Sequence, residues 1–372
     1  MATLKRKIIS NIRNIQSGVK VPNRIIVIES DDWGSNRIAS KECFDGLVTS
    51  GILKKDCEVY DRCDSIAHSE DLSCIYEVIS KYTGKDGKSA VITAFVNPVN
   101  PDFERIKDSG YNEYFYETFF ETLAKEGEGE NVKSAWIEGI SNHLIYPEYH
   151  GREHLTVPLW MEQLQKGNKT VLNAFEYRYF AVPTNAISTK AAQFRPTLYF
   201  DNINQKEWLK QSLSDGVDIL KKIFGFAPIV FAPSNGVSHP DFDKVLFDKG
   251  IIGLHNPNRY EPDGNGGITV AKYGRVNQIG QTYYHRNCVF EPVQCSYDTV
   301  DFCMAQIQAA FNWHKAAIIS SHRVNYLGKI NPSNRSRGLS ELNRLLASIV
   351  KKWPDVIFMT SDEYIRLIRR NK

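Results

Sequence analysis

Two adjacent carboxylates end an apolar stretch near the N-terminus, where "IVIESDDWGS" (27–36) places Asp31 beside Asp32. Two like charges side by side raise each other's pKa and cost stability unless a nearby cation compensates them. In a regular strand the two side chains point to opposite faces. At a strand end, however, Trp33 and Gly34 can turn the backbone so that both carboxylates face one pocket. The pair therefore predicts a pocket that holds a cation, and the chain must supply the cation's other ligands.

A pair of histidines offers such ligands. In "HGREH", His150 and His154 are four residues apart, which places both imidazoles on one side of a helical turn, close enough to share a metal ion. The alternative is two exposed histidines of a loop. With one Asp from a strand end, the pair makes a three-ligand divalent site with an open position for water, as a catalytic metal requires.

The same five residues fit the H-x-x-E-H pattern of one class of metallopeptidases, the inverzincins, with Glu153 as the base. That motif lies on a regular helix. Here Pro147, Gly151 and Pro158 flank or interrupt the segment, so that more than a single helical turn is not expected. The peptidase interpretation is therefore the weaker one.

Composition excludes several function classes. The chain has 372 residues, 42% of them hydrophobic and 24% charged, and a net charge of +3 that gives no argument for nucleic-acid binding. Seven cysteines without a C-x-x-C pair favour reduced thiols. The N-terminus lacks the apolar core of a secretory signal, and no segment is apolar enough to span a membrane. We therefore expect a cytoplasmic enzyme without a membrane span.

Strand-like and helix-like segments alternate over most of the chain, which predicts an α/β fold with parallel strands, in a barrel or a doubly wound sheet. Helices are predicted from Ser40 to about Ser50, from Lys206 to Gly225, and from Ser361 onward. Two stretches, 168–204 and 258–290, break the rhythm. We interpret both as insertions in a single domain spanning 1–372.

Polar residues at the carboxyl ends of parallel strands converge on one face of such folds. Asp31 and Asp32 lie at one such end, and "AAIISSH" runs directly into His322 at another. "VFAPSNG" has the same form and ends on Pro233 and Gly236. These segments are expected to meet around the cation.

With these pieces in order, the chain resembles the polysaccharide deacetylases, carbohydrate esterases that include chitin and peptidoglycan deacetylases. "ESDDWG" is similar to the family's first motif, T-F-D-D-G, which implies that Asp31 is the general base and Asp32 a metal ligand. "EYHGREH" resembles the second motif, H-[S/T]-x-x-H, which implies that His150 and His154 are the other ligands. Gly151 stands where Ser or Thr is usual.

The later motifs agree in part. "IISSHR" resembles L-x-H and nominates His322 as the general acid. "FAPSNG" stands where the family has F-R-P-P-Y-G, so that Ala232 replaces the arginine that holds the catalytic base. The fourth motif, with Asp and Trp, has no clear counterpart. "YYHRNCVFEP" lies in about the right place, and Arg286 or Glu291 are the candidates to substitute.

The resemblance implies a distorted (β/α) barrel of about seven parallel strands and metal-dependent deacetylation of an N- or O-acetylated saccharide. Zn²⁺ is the expected ion, with Co²⁺, Ni²⁺ or Mn²⁺ as alternatives. A backbone N–H near Asn235 is expected to stabilise the oxyanion. Trp33 is a candidate to stack on a sugar ring, although core packing is favoured for any single aromatic residue in a chain that is 12% aromatic.

Two other functions remain open. One is a glycoside hydrolase on a related barrel, which needs a second acid such as Glu291 or Asp298 at the pocket. The other is a carbohydrate-binding protein that has lost turnover, an interpretation motivated by Ala232. Arg195, in "FRP", superficially resembles the missing motif, but it precedes the helix that should come before that strand, so we assign it no role. An insertion that folds back could still supply an arginine.

Overall fold

The computed structural model describes residues 9–12, 14, 15, 18–182, 194–255 and 274–370. Within these ranges one mostly parallel sheet curls into a half-barrel surrounded by helices. The α/β class and the distorted barrel are thus confirmed. The described part of the sheet has nine strands where the resemblance implied about seven.

The strands are β1 (Ile25–Trp33), β2 (Ile92–Val96), β3 (Val99–Pro101), β4 (Tyr116–Thr118), β5 (Ile145–Tyr149), β6 (Val230–Phe231), β7 (Gly253–His255), β8 (Thr282–Tyr284), β9 (Cys288–Val289), β10 (Ala317–His322) and β11 (Ile357–Met359). The order across the sheet is β8-β7-β6-β5-β2-β1-β10-β9. β11 pairs with the first residues of β1, on the side opposite to β10. β3 and β4 form a separate antiparallel pair.

The helices are Lys41–Thr49, Val59–Cys63, Ser69–Ile79, Phe103–Asp108, Phe119–Ala124, Gly129–Ser141, Val157–Gln165, Lys169–Glu176, Ile203–Phe224, Asp241–Asp248, Thr299–Asn312, Pro332–Lys352 and Ser361–Arg370, with short 3₁₀ turns at Ser234–Gly236 and Arg323–Tyr326. The three helices predicted above are confirmed within a few residues of their expected ends. The long helix ends as its sequence indicates, because Gly225 adopts φ 82° and caps it.

β1 lies at the centre of the sheet and carries the first predicted site residues. All nine of its residues are buried, as expected for a strand with both faces covered. Ile26 and Ile28 pack into the large core between the sheet and its helices. Ile25 and Val27 pack inside the half-barrel, against the C-terminal helix. Because side chains alternate along a strand, Asp31 belongs to the inner face.

The two predicted insertions are described in part. Lys169–Glu176 forms a helix, and Phe194 packs with Trp160 and Phe175 in a second hydrophobic cluster. Residues 183–193 and 256–273 lie outside the described ranges. At the end of the second stretch, β8 and β9 join the main sheet in parallel, because their short apolar segments pair with β7 and β10. The single-domain organisation stays a prediction.

No helix in the described part of the chain combines the length and the apolarity needed to cross a bilayer.

Candidate active site

The carboxyl ends of the central strands surround one cavity of about 390 Å³. Its wall is formed by Asp31, Asp32, Arg37, Tyr60, His150, His154, Arg195, Ala232, Pro233, Asn235, Gly236, His255, Arg286 and His322. As predicted for residues at strand ends, this one wall contains Asp31, Asp32, Pro233, Gly236 and His322.

The two adjacent carboxylates both line this cavity because the strand is irregular where they lie. Asp32 adopts φ 72°, a left-handed conformation that is costly for a residue with a Cβ. The register between β1 and β2 shifts between Ser30 and Trp33. Gly34 then continues the turn at φ 84°. The alternation of faces is broken at Asp32 itself, one residue earlier than the turn at Trp33 and Gly34 expected from the sequence.

Asp32 faces the two histidines of "HGREH". Its Oδ1 lies 3.2 Å from Nε2 of His150 and 3.1 Å from Nε2 of His154. All three side chains are buried, and one ligand atom from each lies within 4.8 Å of the others. Burial would raise the pKa of Asp32, but the two imidazoles hold it well below its ordinary value. These three residues are therefore arranged as a possible metal site.

The hydrogen bonds of His150 fit a cation at this position. Its Nδ1 lies 2.7 Å from the carbonyl oxygen of Ala232, which can only accept, so Nδ1 carries the proton. In the neutral ring Nε2 then turns a lone pair toward the Asp32 carboxylate, and a divalent ion removes that repulsion. The backbone carbonyl is also the kind of outer partner that orients a metal-binding histidine. Two imidazole nitrogens and one carboxylate oxygen suit Zn²⁺ or a similar ion.

The helical turn predicted for 150–154 is wrong. The segment forms bends, and Gly151 adopts φ 107°, which allows the two imidazoles to converge without a helix. Glu153 points away from the cavity and is held by Arg152 (2.8 Å) and Ser212 (3.1 Å). Because a peptidase base must lie at the metal, this placement removes the main support for the inverzincin interpretation.

Arg286, just after β8, binds Asp31 through both ends of its guanidinium group. Nη1 lies 2.5 Å from Oδ2, and Nη2 lies 2.5 Å from Oδ1. Burial would raise the pKa of Asp31, but Arg286 and His150 hold it well below its ordinary value. Asp31 is therefore held by an arginine from the connection between β8 and β9, and Arg286 was one of the two candidate substitutes for the arginine that Ala232 replaces.

His322 lies on the other side of Asp31, with its Nε2 3.7 Å from Oδ2. Its register partner across β1 and β10 is Asp31 itself. Nδ1 contacts Oε1 of Glu291 at 2.6 Å. Partial burial lowers the pKa of His322, but the charge and hydrogen bond of Glu291 outweigh it and raise the pKa to about 9. Glu291, the other candidate substitute, thus acts on His322 rather than on Asp31.

Of the two remaining predicted residues, one lines the cavity and the other lies in the core. Asn235 lines the cavity within the 3₁₀ turn at φ 55°, a conformation that Asn tolerates. Trp33 is fully buried, packs edge-on against Trp136 and donates to Ser30 Oγ at 3.0 Å. Its position is that of a core residue, the alternative stated for it above, and it does not line the cavity.

Four wall residues had no predicted role at the site: Arg37, Tyr60, Arg195 and His255. His255 ends β7, so the strand-end rule could have identified it. Arg195 reaches the cavity because its segment folds back, which the sequence left open. Arg37 and Tyr60 come from connecting segments after β1, where no local pattern marks them.

No family model matches this sequence, and no curated protein matches it. A provisionally named glycoside hydrolase/deacetylase from Parabacteroides distasonis aligns over 94% of this chain and 72% of its own, at 9% identity and a TM-score of 0.52. A provisionally named polysaccharide deacetylase from Mycobacterium smegmatis aligns over 95% and 94%, at 12% identity and a TM-score of 0.43. A peptidoglycan deacetylase from Bacillus subtilis aligns over 95% of both chains, at 10% identity and a TM-score of 0.37. Only the first score indicates a shared fold, and at such identity it indicates the fold alone.

Proposed function

We propose that this protein is a metal-dependent hydrolase that removes an acetyl group from an N- or O-acetylated saccharide. The observation that carries the proposal is the division of labour between the adjacent acids. Asp32 faces two imidazoles, whereas Asp31 is held by Arg286 and faces His322. One cavity thus contains a carboxylate beside two imidazoles, a second carboxylate held by an arginine, and a third imidazole, the groups that metal-assisted hydrolysis of an amide or ester needs.

Asp32, His150 and His154 are the proposed ligands, and Zn²⁺ is the proposed ion. When bound, the ion supplies positive charge that lowers the pKa of water and polarises an acyl carbonyl. Its charge also compensates the buried carboxylate pair, which is why two acids can be adjacent here. The chain's contribution is to fix the three ligands on β1 and on the segment after β5.

Asp31 is the proposed general base. Arg286 occupies one position on each of its oxygens, but each carboxylate oxygen has two lone pairs, so one remains to accept the proton of the attacking water. The pair keeps Asp31 ionised and aimed into the cavity. The same contact weakens it as a base, so its action depends on proximity more than on basicity.

His322 is the proposed general acid. With a pKa of about 9, its imidazole is protonated at neutral pH. Glu291 fixes the ring through Nδ1, which leaves the Nε2 proton for the leaving nitrogen or oxygen of the sugar. Tyr60 packs edge-on against the ring, with the centroids 5.3 Å apart, and restricts its rotation.

Asn235 is proposed to stabilise the oxyanion through its backbone N–H. Support comes from its place on the cavity wall and from its left-handed turn. The carbonyl oxygen of Ala232, three residues before Asn235, orients His150. The same loop would therefore position a metal ligand and stabilise the oxyanion.

The other two functions have less support. Glu291, the second acid of a glycoside hydrolase, is occupied by His322 at one oxygen and by Asn325 (2.7 Å) at the other. Asp298 caps the helix Thr299–Asn312 and pairs with Arg344. Loss of turnover was motivated by Ala232, and Arg286 now holds Asp31 in its place.

The test is acetate release from N- and O-acetylated oligosaccharides by the zinc-loaded protein and by its Asp31→Asn variant. We expect release by the parent protein and its loss in the variant, with zinc content unchanged. Metal-bound protein that releases no acetate from any of these substrates would reject the deacetylase function.

A further inference from the structure

Two arginines on the cavity wall are not needed for the proposed chemistry. Arg37 follows the turn after β1, and Arg195 lies in the segment before the helix Ile203–Phe224. Their side chains are 5% and 15% exposed. Buried guanidinium groups are costly unless their charge and their N–H donors are satisfied. The contacts of each arginine therefore show whether the protein itself satisfies its charge and its N–H donors.

Arg37 forms long ion pairs with two carboxylates but no hydrogen bond to either. Its Nε lies 3.6 Å from Asp64, and its Nη2 lies 4.0 Å from Asp32, both beyond hydrogen-bond distance. Nη1 is buried and has no hydrogen-bond partner among the described residues. The guanidinium carbon lies 5.1 Å from the ring centroid of Tyr60, which supports the group without satisfying its donors.

Arg195 is satisfied on one side only. Its Nη2 binds both oxygens of Asp61, at 3.0 and 3.1 Å. Its Nε is buried and lacks a partner within the ranges that the structure describes. The guanidinium group is thus anchored by Asp61 while it remains on the cavity wall.

Two of the aspartates near Arg37 bind other arginines more closely than they bind Arg37 itself. Asp64 gives its short contact to Arg323, at 2.9 Å, and Asp61 gives its contact to Arg195. Arg37 is therefore left with the two longer ion pairs, to Asp64 at 3.6 Å and to Asp32 at 4.0 Å. Asp32 is the remaining neighbour of Arg37, and it is also the proposed metal ligand, so a bound cation would consume its charge. With Asp32 bound to a cation, Arg37 would keep only its 3.6 Å contact to Asp64, so its donors would be available to an anionic group in the cavity.

We propose that Arg37 and Arg195 bind an anionic substituent, a carboxylate, phosphate or sulfate, on the acetylated sugar. The inference rests on the proposed function for the reaction but adds the substrate class: an acidic saccharide rather than a neutral one. Guanidinium groups suit such oxyanions because their paired N–H donors match the paired oxygens. Asp61 keeps Arg195 in place for this contact.

The experiment measures binding in the Asp31→Asn variant, which is expected not to turn over. Isothermal titration calorimetry compares N-acetylglucosamine with two acidic analogues, N-acetylmuramic acid and N-acetylglucosamine 6-phosphate. We expect at least one acidic sugar to bind about tenfold or more tightly than the neutral one, the effect of a charge-assisted hydrogen bond. Which analogue is preferred distinguishes a carboxylate from a tetrahedral oxyanion.

Substitution of Arg195→Gln in the same background should reduce that preference about tenfold and leave affinity for the neutral sugar unchanged. Arg195→Lys keeps the charge but not the paired donors, so its preference for the acidic sugar should lie between that of the protein with Arg195 and that of Arg195→Gln. Arg178→Gln is the matched control, because Arg178 is exposed and pairs with Glu104. Melting curves establish that each variant is folded, and rising salt should weaken only the acidic sugars.

Equal affinity for acidic and neutral sugars in the Asp31→Asn protein would overturn the inference, as would an unchanged preference in Arg195→Gln. Failure of the proposed function is a separate result. Absence of acetate release from every sugar would reject the deacetylase, while the calorimetric preference would still decide whether the two arginines bind an anion.

Discussion

Arg286 binds Asp31 from the connection between β8 and β9, whereas the sequence motif places the corresponding arginine after β6. The two guanidinium nitrogens Nη1 and Nη2 each lie 2.5 Å from one oxygen of the carboxylate, and Nε lies 2.6 Å from Glu29, two residues earlier on the same strand. Because Glu29 and Asp31 share the inner face of β1, one arginine spans both. Ala232 and Arg286 both line the same cavity, so an arginine can reach Asp31 from either segment.

Arg286→Lys should lower kcat about 10- to 100-fold, with KM nearly unchanged. A lysine keeps the charge but cannot bind both carboxylate oxygens at once, so Asp31 would lose its orientation. Steady-state kinetics on the preferred acetylated sugar measures the effect. Guanidinium ion added to Arg286→Ala should restore part of the activity, a result that a merely structural role would not produce. A fall in KM alone would contradict this assignment.

His154→Ala should reduce zinc affinity at least about 100-fold, more than the loss of an outer partner typically costs. Two ligands cannot replace three, and Asp32 would be left as a buried carboxylate beside Asp31. Metal content after dialysis, measured by atomic spectroscopy, tests this. Asp31→Asn is the matched control, because it is expected to retain the ion and lose activity. Equal zinc content in His154→Ala and the parent protein would exclude His154 as a ligand.

The sequence predicted the central fold and much of the site because both follow from strand ends. Apolar runs that finish on Asp31 and His322 predict two strand ends on one face of the sheet, and the structure adds that the two strands are neighbours with these residues in register. Trp33 shows the limit. It was a candidate for a sugar contact, with core packing favoured for any single aromatic residue, and its side chain packs against Trp136, because the turn occurs at Asp32. A positive φ at a residue other than glycine cannot be derived from local preference.

Arg37 and Tyr60 show a second limit. Both reach the cavity through connecting segments whose path depends on tertiary packing, and neither follows an apolar run. Arg286 and Glu291 could be predicted in part. Their stretch was recognised as the place for substitutes, but which acid or base each would contact depended on strand order, with β8 and β9 at opposite ends of the sheet path.

Gly151→Ser restores the residue type usual in the resembling family, and we expect it to be harmful here. Gly151 adopts φ 107°, and a Cβ at this position would lie 3.0 Å from the side chain of Thr197. The left-handed backbone alone costs roughly 1–2 kcal/mol for a residue with a Cβ. Thermal unfolding should show a lower melting temperature, and zinc titration a weaker site, because His150 and His154 flank the strained bend. A variant as stable as the parent, with unchanged zinc affinity, would show that the bend relaxes freely.

Activity should fall at alkaline pH as His322 loses its proton. Its pKa in the folded protein is raised to about 9, so the acid form is complete well below that pH and is lost as the pH rises through it. Glu291→Gln removes the negative charge that raises this pKa while it keeps an acceptor for Nδ1. The alkaline limb of kcat should therefore move to lower pH in Glu291→Gln.

A bound divalent ion would also repel the imidazolium, which places the limb of the loaded enzyme at or below 9 in both proteins, and the order of the two limbs is the decisive quantity. Glu341→Gln is a suitable control. It removes the same charge from a residue that pairs with Arg344 on the surface and does not line the cavity. Its limb should coincide with that of the parent protein. If the alkaline limb of Glu291→Gln also coincides with that of the parent protein, His322 is not the acid, because loss of the Glu291 charge must lower the pKa of His322.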